Sequence, residues 1–172
     1  MPNRRITSKA RGSSVQLSDC LSSLFTLEMF APSPELYLIS PWLSKVPLLD
    51  NRFGRFRAIT TEMHKRELHL GDILTLLAEK GSRIYIMCRP EHPQTEEFLH
   101  ALFNNPQSNI AYRQSETLHE KGLISTHFYL RGSMNFTYAG VNLNDESVEL
   151  TTDPAELARA MAEARVSWEG LA

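Results

Sequence analysis

The sequence predicts an α/β sandwich, a mixed β-sheet flanked by helices, and three observations predict it. The contiguous run Leu36-Tyr37-Leu38-Ile39 is apolar on both faces, as a fully buried strand is. Stretches with helical apolar spacing alternate with such strand-like runs along the chain. The 172 residues, 42% hydrophobic and 22% charged, are enough for one well-buried core and argue against wholesale disorder.

The first fourteen residues carry Arg4, Arg5, Lys9 and Arg11 with no acidic residue, followed by Gly12-Ser13-Ser14. They read as a basic flexible tail, either a solvated end or an arm that touches phosphates, ahead of a single domain over 15–172. Val15, Leu17, Leu21, Leu24, Phe25 and Leu27 predict an amphipathic helix to Phe30 that ends before Pro32 and Pro34. Glu35 to Ser40 follows as a strand stopped by Pro41, and Phe56 to Thr61 as a second strand. Arg66 to Glu79 carries Leu68, Ile73, Leu74, Leu76 and Leu77 on a helix closed by Gly81. Arg83 to Cys88 is a third strand, Thr95 to Phe103 a helix after Pro93, and Asn109 to Arg113 a short strand. Lys121 to Leu130 predicts a hairpin or a bent pair of strands, Val148 to Thr151 an edge strand, and Pro154 to Trp168 a final helix. No internal repeat is visible.

Composition narrows the function. A net charge of −2 gives no bulk basic field, so contact with nucleic acid has to come from local positive charge. No apolar run approaches the roughly 20 residues of a membrane-spanning helix, and the polar start Met1-Pro2-Asn3-Arg4-Arg5 is unlike a signal peptide. A cytoplasmic protein without membrane contact is expected. Cys20 and Cys88 lack the spacing of a zinc site or disulfide framework and read as reduced packing residues. His64, His69, His92 and His100 have no spacing that builds a metal site on one helix face, so neither metal nor cofactor is expected.

The chemistry gathers late in the chain. Leu118-His119-Glu120-Lys121 is followed by Gly132-Ser133-Met134-Asn135-Phe136-Thr137 and then by Asn144-Asp145-Glu146. On an extended segment His119 and Lys121 leave the same face and address one anion together, although a wet strand surface is the plain alternative. Ser133 and Asn135 add a hydroxyl and an amide, and a helix starting near Phe136 aims its first N–H groups at a phosphate; a simple turn is the alternative. Glu146 is placed to accept from the second ring nitrogen of His119 and fix its tautomer, unless it is an exposed loop carboxylate. Such a set suits metal-independent attack on phosphorus, with histidine as nucleophile and fixed donors on the charged oxygens.

In order and content these pieces resemble the phospholipase D superfamily, whose motif is His-x-Lys-x4-Asp followed by Gly-Ser-x-Asn and a downstream acid. The match, over roughly Glu35 to Thr151, is to the single-motif bacterial nucleases of that superfamily. The resemblance implies a phospholipase D-like sandwich in which His119 is the nucleophile, Lys121, Ser133 and Asn135 bind the phosphate, and Glu146 orients the histidine. It implies a phosphohistidine intermediate, no metal or cofactor, and a homodimer, because the superfamily's reaction uses two histidines and this chain has one motif. One position departs: Thr126 stands where the motif has Asp. That weakens the activity assignment and keeps a non-catalytic nucleic-acid-binding or scaffold subunit as the alternative, with a lipid phosphodiesterase behind it. His127 is a candidate to compensate, or a structural histidine.

A narrower resemblance lies in Ser40-Pro41-Trp42-Leu43-Ser44, Val46-Pro47-Leu48-Leu49-Asp50-Asn51-Arg52 and Gly54, which are similar to phospholipase-D-like proteins of bacterial gene clusters that place 7-deazaguanine bases in DNA and restrict unmodified DNA. It implies DNA as substrate and other proteins of a defence complex as partners. The segment also reads as a stiffened loop in which Trp42 packs, with Arg52, Arg55 and Arg57 either lining a nucleic-acid groove or solvated.

Overall fold

Buried apolar strands must satisfy their backbone groups in a sheet and cover both faces with helices. In a computed structural model, which describes residues 3–8, 14–54, 56, 65–104 and 109–171, the chain does this in three layers. It runs β1 (Arg4–Ser8), α1 (Ser14–Phe30), β2 (Glu35–Ile39), β3 (Pro47–Asp50), β4 (Glu67–His69), α2 (Leu70–Glu79) and β5 (Arg83–Cys88). It continues α3 (Pro93–Phe103), β6 (Ile110–Gln114), β7 (Gly122–Ile124), β8 (Tyr129–Gly132), α4 (Tyr138–Asn142), β9 (Glu146–Thr151) and α5 (Pro154–Gly170). The main sheet has the order β1-β9-β8-β7-β2-β5-β6, and β3 pairs with β4 in a separate ribbon.

The sheet is mixed, as the sequence predicts. β2, β5 and β6 are parallel, while β2 pairs antiparallel with β7 and the remainder of the sheet continues antiparallel to β1. Leu36, Leu38, Ile84, Ile86, Leu123 and Leu130 point to one face and pack with Leu21, Phe25, Ile73 and Leu77 of α1 and α2. The alternate residues Tyr37, Ile39, Met87 and Ile124 pack on the other face against Ala160, Met161 and Ala164 of α5.

Four elements differ from expectation. Arg4–Ser8, inside the segment read as a flexible tail, is an edge strand in register with β9, Ile6 opposite Val148. Its side chains gave no apolar signal, since only Ile6 enters the core, but the β9 backbone offers it a ladder, and Asn3 and Arg5 bind Glu149 and Ser147 at 2.7 and 3.1 Å. β9 is therefore an inner strand. β3 occupies what read as a stiffened loop, and β4 replaces the first turn of the expected second helix. Leu68 pairs there with Leu49, and Asp72 accepts the His69 N–H at 2.9 Å, which fixes the helix start at Leu70. Most of the strand expected over Phe56 to Thr61, together with Arg55, Arg57 and His64, lies outside the described residues.

Candidate active site

The topology delivers the candidate residues to one end of the sheet. The carboxyl ends of parallel β2 and β5 lead into Ser40-Pro41-Trp42 and Arg89 to His92. β7 is antiparallel to β2, with Ile39 opposite Gly122, so the residues just before β7, His119 and Lys121, lie at that same end. β8 finishes there with Gly132, followed by Ser133 and Asn135, and β9 begins there with Glu146. Loops beyond the carboxyl ends of parallel strands are where α/β folds place their sites.

Backbone bonds tie these segments together. Gly132 N–H donates to the Lys121 carbonyl at 3.3 Å and Ser133 N–H to the Ser147 carbonyl at 3.0 Å. Gly132 has φ 155°, and a Cβ there would sit 2.2 Å from the Ser147 carbonyl oxygen and 2.7 Å from Val148 Cα. Only glycine admits this close approach of β8 to β9.

The side chains divide into two groups. Ser133 donates its hydroxyl to Glu146 and accepts the Ser147 N–H at 3.0 Å; Asn144 donates to the other Glu146 oxygen at 3.4 Å. The Glu146 side chain is buried, so it is not the exposed loop carboxylate of the plain reading. Asn135 Oδ1 accepts from the Trp42 N–H and the Ser40 hydroxyl, each at 3.4 Å. With Oδ1 held, the amide NH2 is the end left to meet an anion, and among the described residues it has no protein partner. Lys121 Nζ turns back to the His119 carbonyl at 3.0 Å, and both the His119 side chain and its loop are exposed. The expected Glu146–His119 hydrogen bond is not formed, since among the described residues Glu146 engages Ser133 and Asn144 and the imidazole has no hydrogen-bond partner.

The expected helix N-terminus does not serve an anion. α4 has five residues and starts at Tyr138; its first amides are taken by side chains, Tyr138 N–H by Ser44 at 2.9 Å and Gly140 N–H by Thr137 at 3.0 Å. Ser44 and Ser40 were the missed residues here. Ser40 accepts the Phe136 N–H at 3.1 Å and so couples the loop after β2 to the Ser133–Asn135 turn, a role signalled by a serine at the end of a buried strand.

Thr126 lies past the opposite end of β7, away from His119. Its N–H and hydroxyl meet Ser33 Oγ at 3.1 and 2.8 Å, and Ser33 binds the fully buried Glu28 through both its hydroxyl and its N–H at 2.9 Å. The missing motif carboxylate thus has a carboxylate from α1 in its vicinity. His127 binds the Ala31 carbonyl at 2.8 Å, the structural alternative. Arg52 is bound to Asp50 at 2.5 Å. Cys20 and Cys88 are free thiols. Among the described residues no three His, Cys, Asp or Glu side chains gather as metal ligands, and no helix is long and apolar enough to cross a membrane.

A cleft of about 460 Å³ lined by Arg5, Arg131 and Glu149 opens beside Gly132. Arg131 alternates with Leu130 and Gly132 and leaves the sheet on the side opposite Lys121, so the cleft adjoins the Gly132–Ser147 backbone but faces away from Lys121.

Comparison with known proteins agrees with this architecture. Residues 55–168 match the family model described as cardiolipin synthase, PLD-like domain. Among solved structures the chain is similar to Nuc from Salmonella typhimurium, a phospholipase D family member, at 14% identity and TM-score 0.60, covering 98% of this chain and 94% of that one. NucT from Helicobacter pylori is similar at 12% identity and TM-score 0.62, covering 99% and 96%. TrmBL2, an archaeal chromatin protein with a novel mode of DNA binding, is similar at 15% identity and TM-score 0.54, covering 98% of this chain and 53% of that one. These similarities concern the fold. A search of the curated proteins finds no match.

Proposed function

The chain belongs to the family of PLD-like domains, and from that premise we propose that it is a metal-independent phosphodiesterase, acting on DNA as a nuclease. The observation that carries this reading is the convergence of His119, Lys121, Ser133, Asn135 and Glu146 at one end of the sheet through the β7–β8–β9 register.

In this reading His119 attacks phosphorus, forming an N–P bond as the P–O bond to the leaving strand breaks. Lys121, the Ser133 hydroxyl and the Asn135 amide hold the non-bridging oxygens. A two-fold homodimer completes the site: the partner subunit's His119 gives a proton to the leaving oxygen and then takes one from the water that cleaves the phosphohistidine. A phosphate that takes the Ser133 hydrogen releases a Glu146 oxygen to accept from His119, which gives Glu146 its orienting role at the moment of reaction. The motif departure at Thr126 lies away from this chemistry. The setting is bacterial DNA modification and restriction, in company with other proteins of a defence complex. Its support is the Ser40 to Gly54 segment, which resembles that of DpdK, the phospholipase-D-like protein of 7-deazaguanine clusters.

The test is incubation of the protein with single- and double-stranded DNA in EDTA. Cleavage by wild type and none by His119→Ala is the expected result. Cleavage that survives in His119→Ala overturns the assignment of the nucleophile. Binding without cleavage by wild type points to the non-catalytic reading, which the fold shared with a DNA-binding chromatin protein favours.

A further inference from the structure

Trp42 does not pack into the core as the sequence suggested. It is 41% exposed although the His92 ring stacks on it, centroids 5.5 Å apart and planes 23° from parallel.

The ring is held in place from several directions. His92 Nδ1 lies 3.2 Å from the Thr95 hydroxyl, and the buried Thr95 in turn takes the N–H of Leu43, next to Trp42, at 3.0 Å. Trp42, Leu43, Thr95 and His92 therefore close a loop of contacts that fixes both rings relative to each other. The preceding residue Glu91 has φ 60°, the single left-handed non-glycine among the described residues. Such a backbone persists only where surrounding structure insists on it, and here it delivers His92 to the stack. The Trp42 main chain adjoins the phosphate-binding candidates, for its backbone N–H donates to Asn135 Oδ1 at 3.4 Å and its carbonyl accepts from the Ser40 hydroxyl at 2.6 Å.

We propose that Trp42, backed by His92, is a stacking platform for a nucleobase next to the scissile phosphate, which makes single-stranded nucleic acid the substrate class. The inference rests on the phosphodiesterase reading and deepens it. Only one sugar separates a phosphate from the base of the same nucleotide, and the backbone of Trp42 touches the side chain assigned to the phosphate. Every base has a π-face, so such a platform is tolerant of sequence. It binds unpaired strands, because a base within a duplex already stacks on both sides. A pre-fixed ring also loses little side-chain freedom on binding.

The experiment uses full-length protein carrying His119→Ala, so that binding is read without cleavage, in EDTA. The probes are a fluorescent oligothymidylate and an abasic sugar-phosphate oligomer of the same length. Trp42→Ala is expected to raise Kd for oligothymidylate roughly 5- to 150-fold, the range for loss of one stacked base, and to leave Kd for the abasic oligomer within about twofold. Trp42→Phe, which keeps an aromatic face, should restore most of the affinity and controls for misfolding. Equal losses on both probes, unchanged binding of oligothymidylate, or no binding of it before substitution overturns the platform. Conversion of the protein from dimer to monomer by Trp42→Ala also overturns it, by assigning the ring to a subunit contact. Failure of wild type to cleave any DNA counts against the phosphodiesterase reading alone, since the comparison of the two probes does not depend on turnover.

Discussion

Ser133 donates its only hydroxyl hydrogen to Glu146. The hydroxyl oxygen is meanwhile held by the Ser147 N–H at 3.0 Å, so the carboxylate and the backbone together set where the hydroxyl points. A substrate oxygen that binds Ser133 has to compete with Glu146 for one hydrogen.

The first prediction concerns that competition. Ser133→Ala and Glu146→Ala should each lower kcat/KM by about 100- to 1,000-fold, the range for loss of a preorganised oxyanion donor. The double variant should be little worse than the poorer single one, because the residues act as a unit. Steady-state cleavage kinetics on one oligonucleotide measure the cycle. Losses that multiply would mean that the bond between them has no part in turnover.

A second prediction follows from one motif per chain. Mixed dimers of wild type and His119→Ala should lose more activity than dilution alone explains, because each lacks one of two cooperating imidazoles. Activity is measured against the fraction of variant after subunits are exchanged. A straight line would rule out a shared site.

Thr126 leads to a third. Ser33 gives its one hydrogen to Glu28, so the Thr126 hydroxyl must donate to Ser33 across the 2.8 Å contact. Restoring the family's carboxylate with Thr126→Asp removes that donor and brings a second carboxyl group toward buried Glu28. The variant should lose stability, by about 1–3 kcal/mol for an acceptor facing an acceptor, without a matching gain in kcat. Chemical denaturation reads the first effect and cleavage kinetics the second; a more stable and more active variant would contradict the network.

Much of this architecture was legible because burial leaves a plain pattern. Arg83–Cys88 was read with its observed bounds, since its apolar run is bracketed by Gly81 and Pro90. The hairpin from Lys121 and the helix from Pro154 were legible too, the latter from Pro154 at its start, where the structure adds Asp153 as the cap. β1 was not legible, because its pairing is made by backbone while Arg4 and Arg5 stay exposed. β3 hid behind Pro47, which can stand at the first position of a strand. At the site, sequence order brought His119, Lys121, Ser133, Asn135 and Glu146 into view as a set. Their hydrogen-bond partners were not visible, for Ser40 and Trp42 lie 95 and 93 positions from Asn135.

Cys88 supplies a prediction in pH. Burial pushes its thiol from an ordinary value of 9.0 up to about 12, with the Glu96 charge adding to the effect. The folded state thus holds this proton more tightly than the unfolded chain. Its contribution to stability is complete below about pH 9 and is lost as pH rises toward about 12. Denaturation midpoints should fall across that window, and Cys88→Ala should flatten the fall. Thiol reagents at mildly alkaline pH should spare Cys88 until the protein is unfolded. Rapid labelling of Cys88 in the native protein would show that the thiol is reachable after all.

The edge strand β1 has a practical corollary for anyone handling this molecule. Its last rung places Ser8 opposite Glu146, so the leading residues shield the very strand that carries the site's carboxylate. Trimming them would expose a bare ladder ready to recruit neighbouring chains into aggregates. Variants that lack Arg4–Ser8 are therefore expected to self-associate where the parent protein does not.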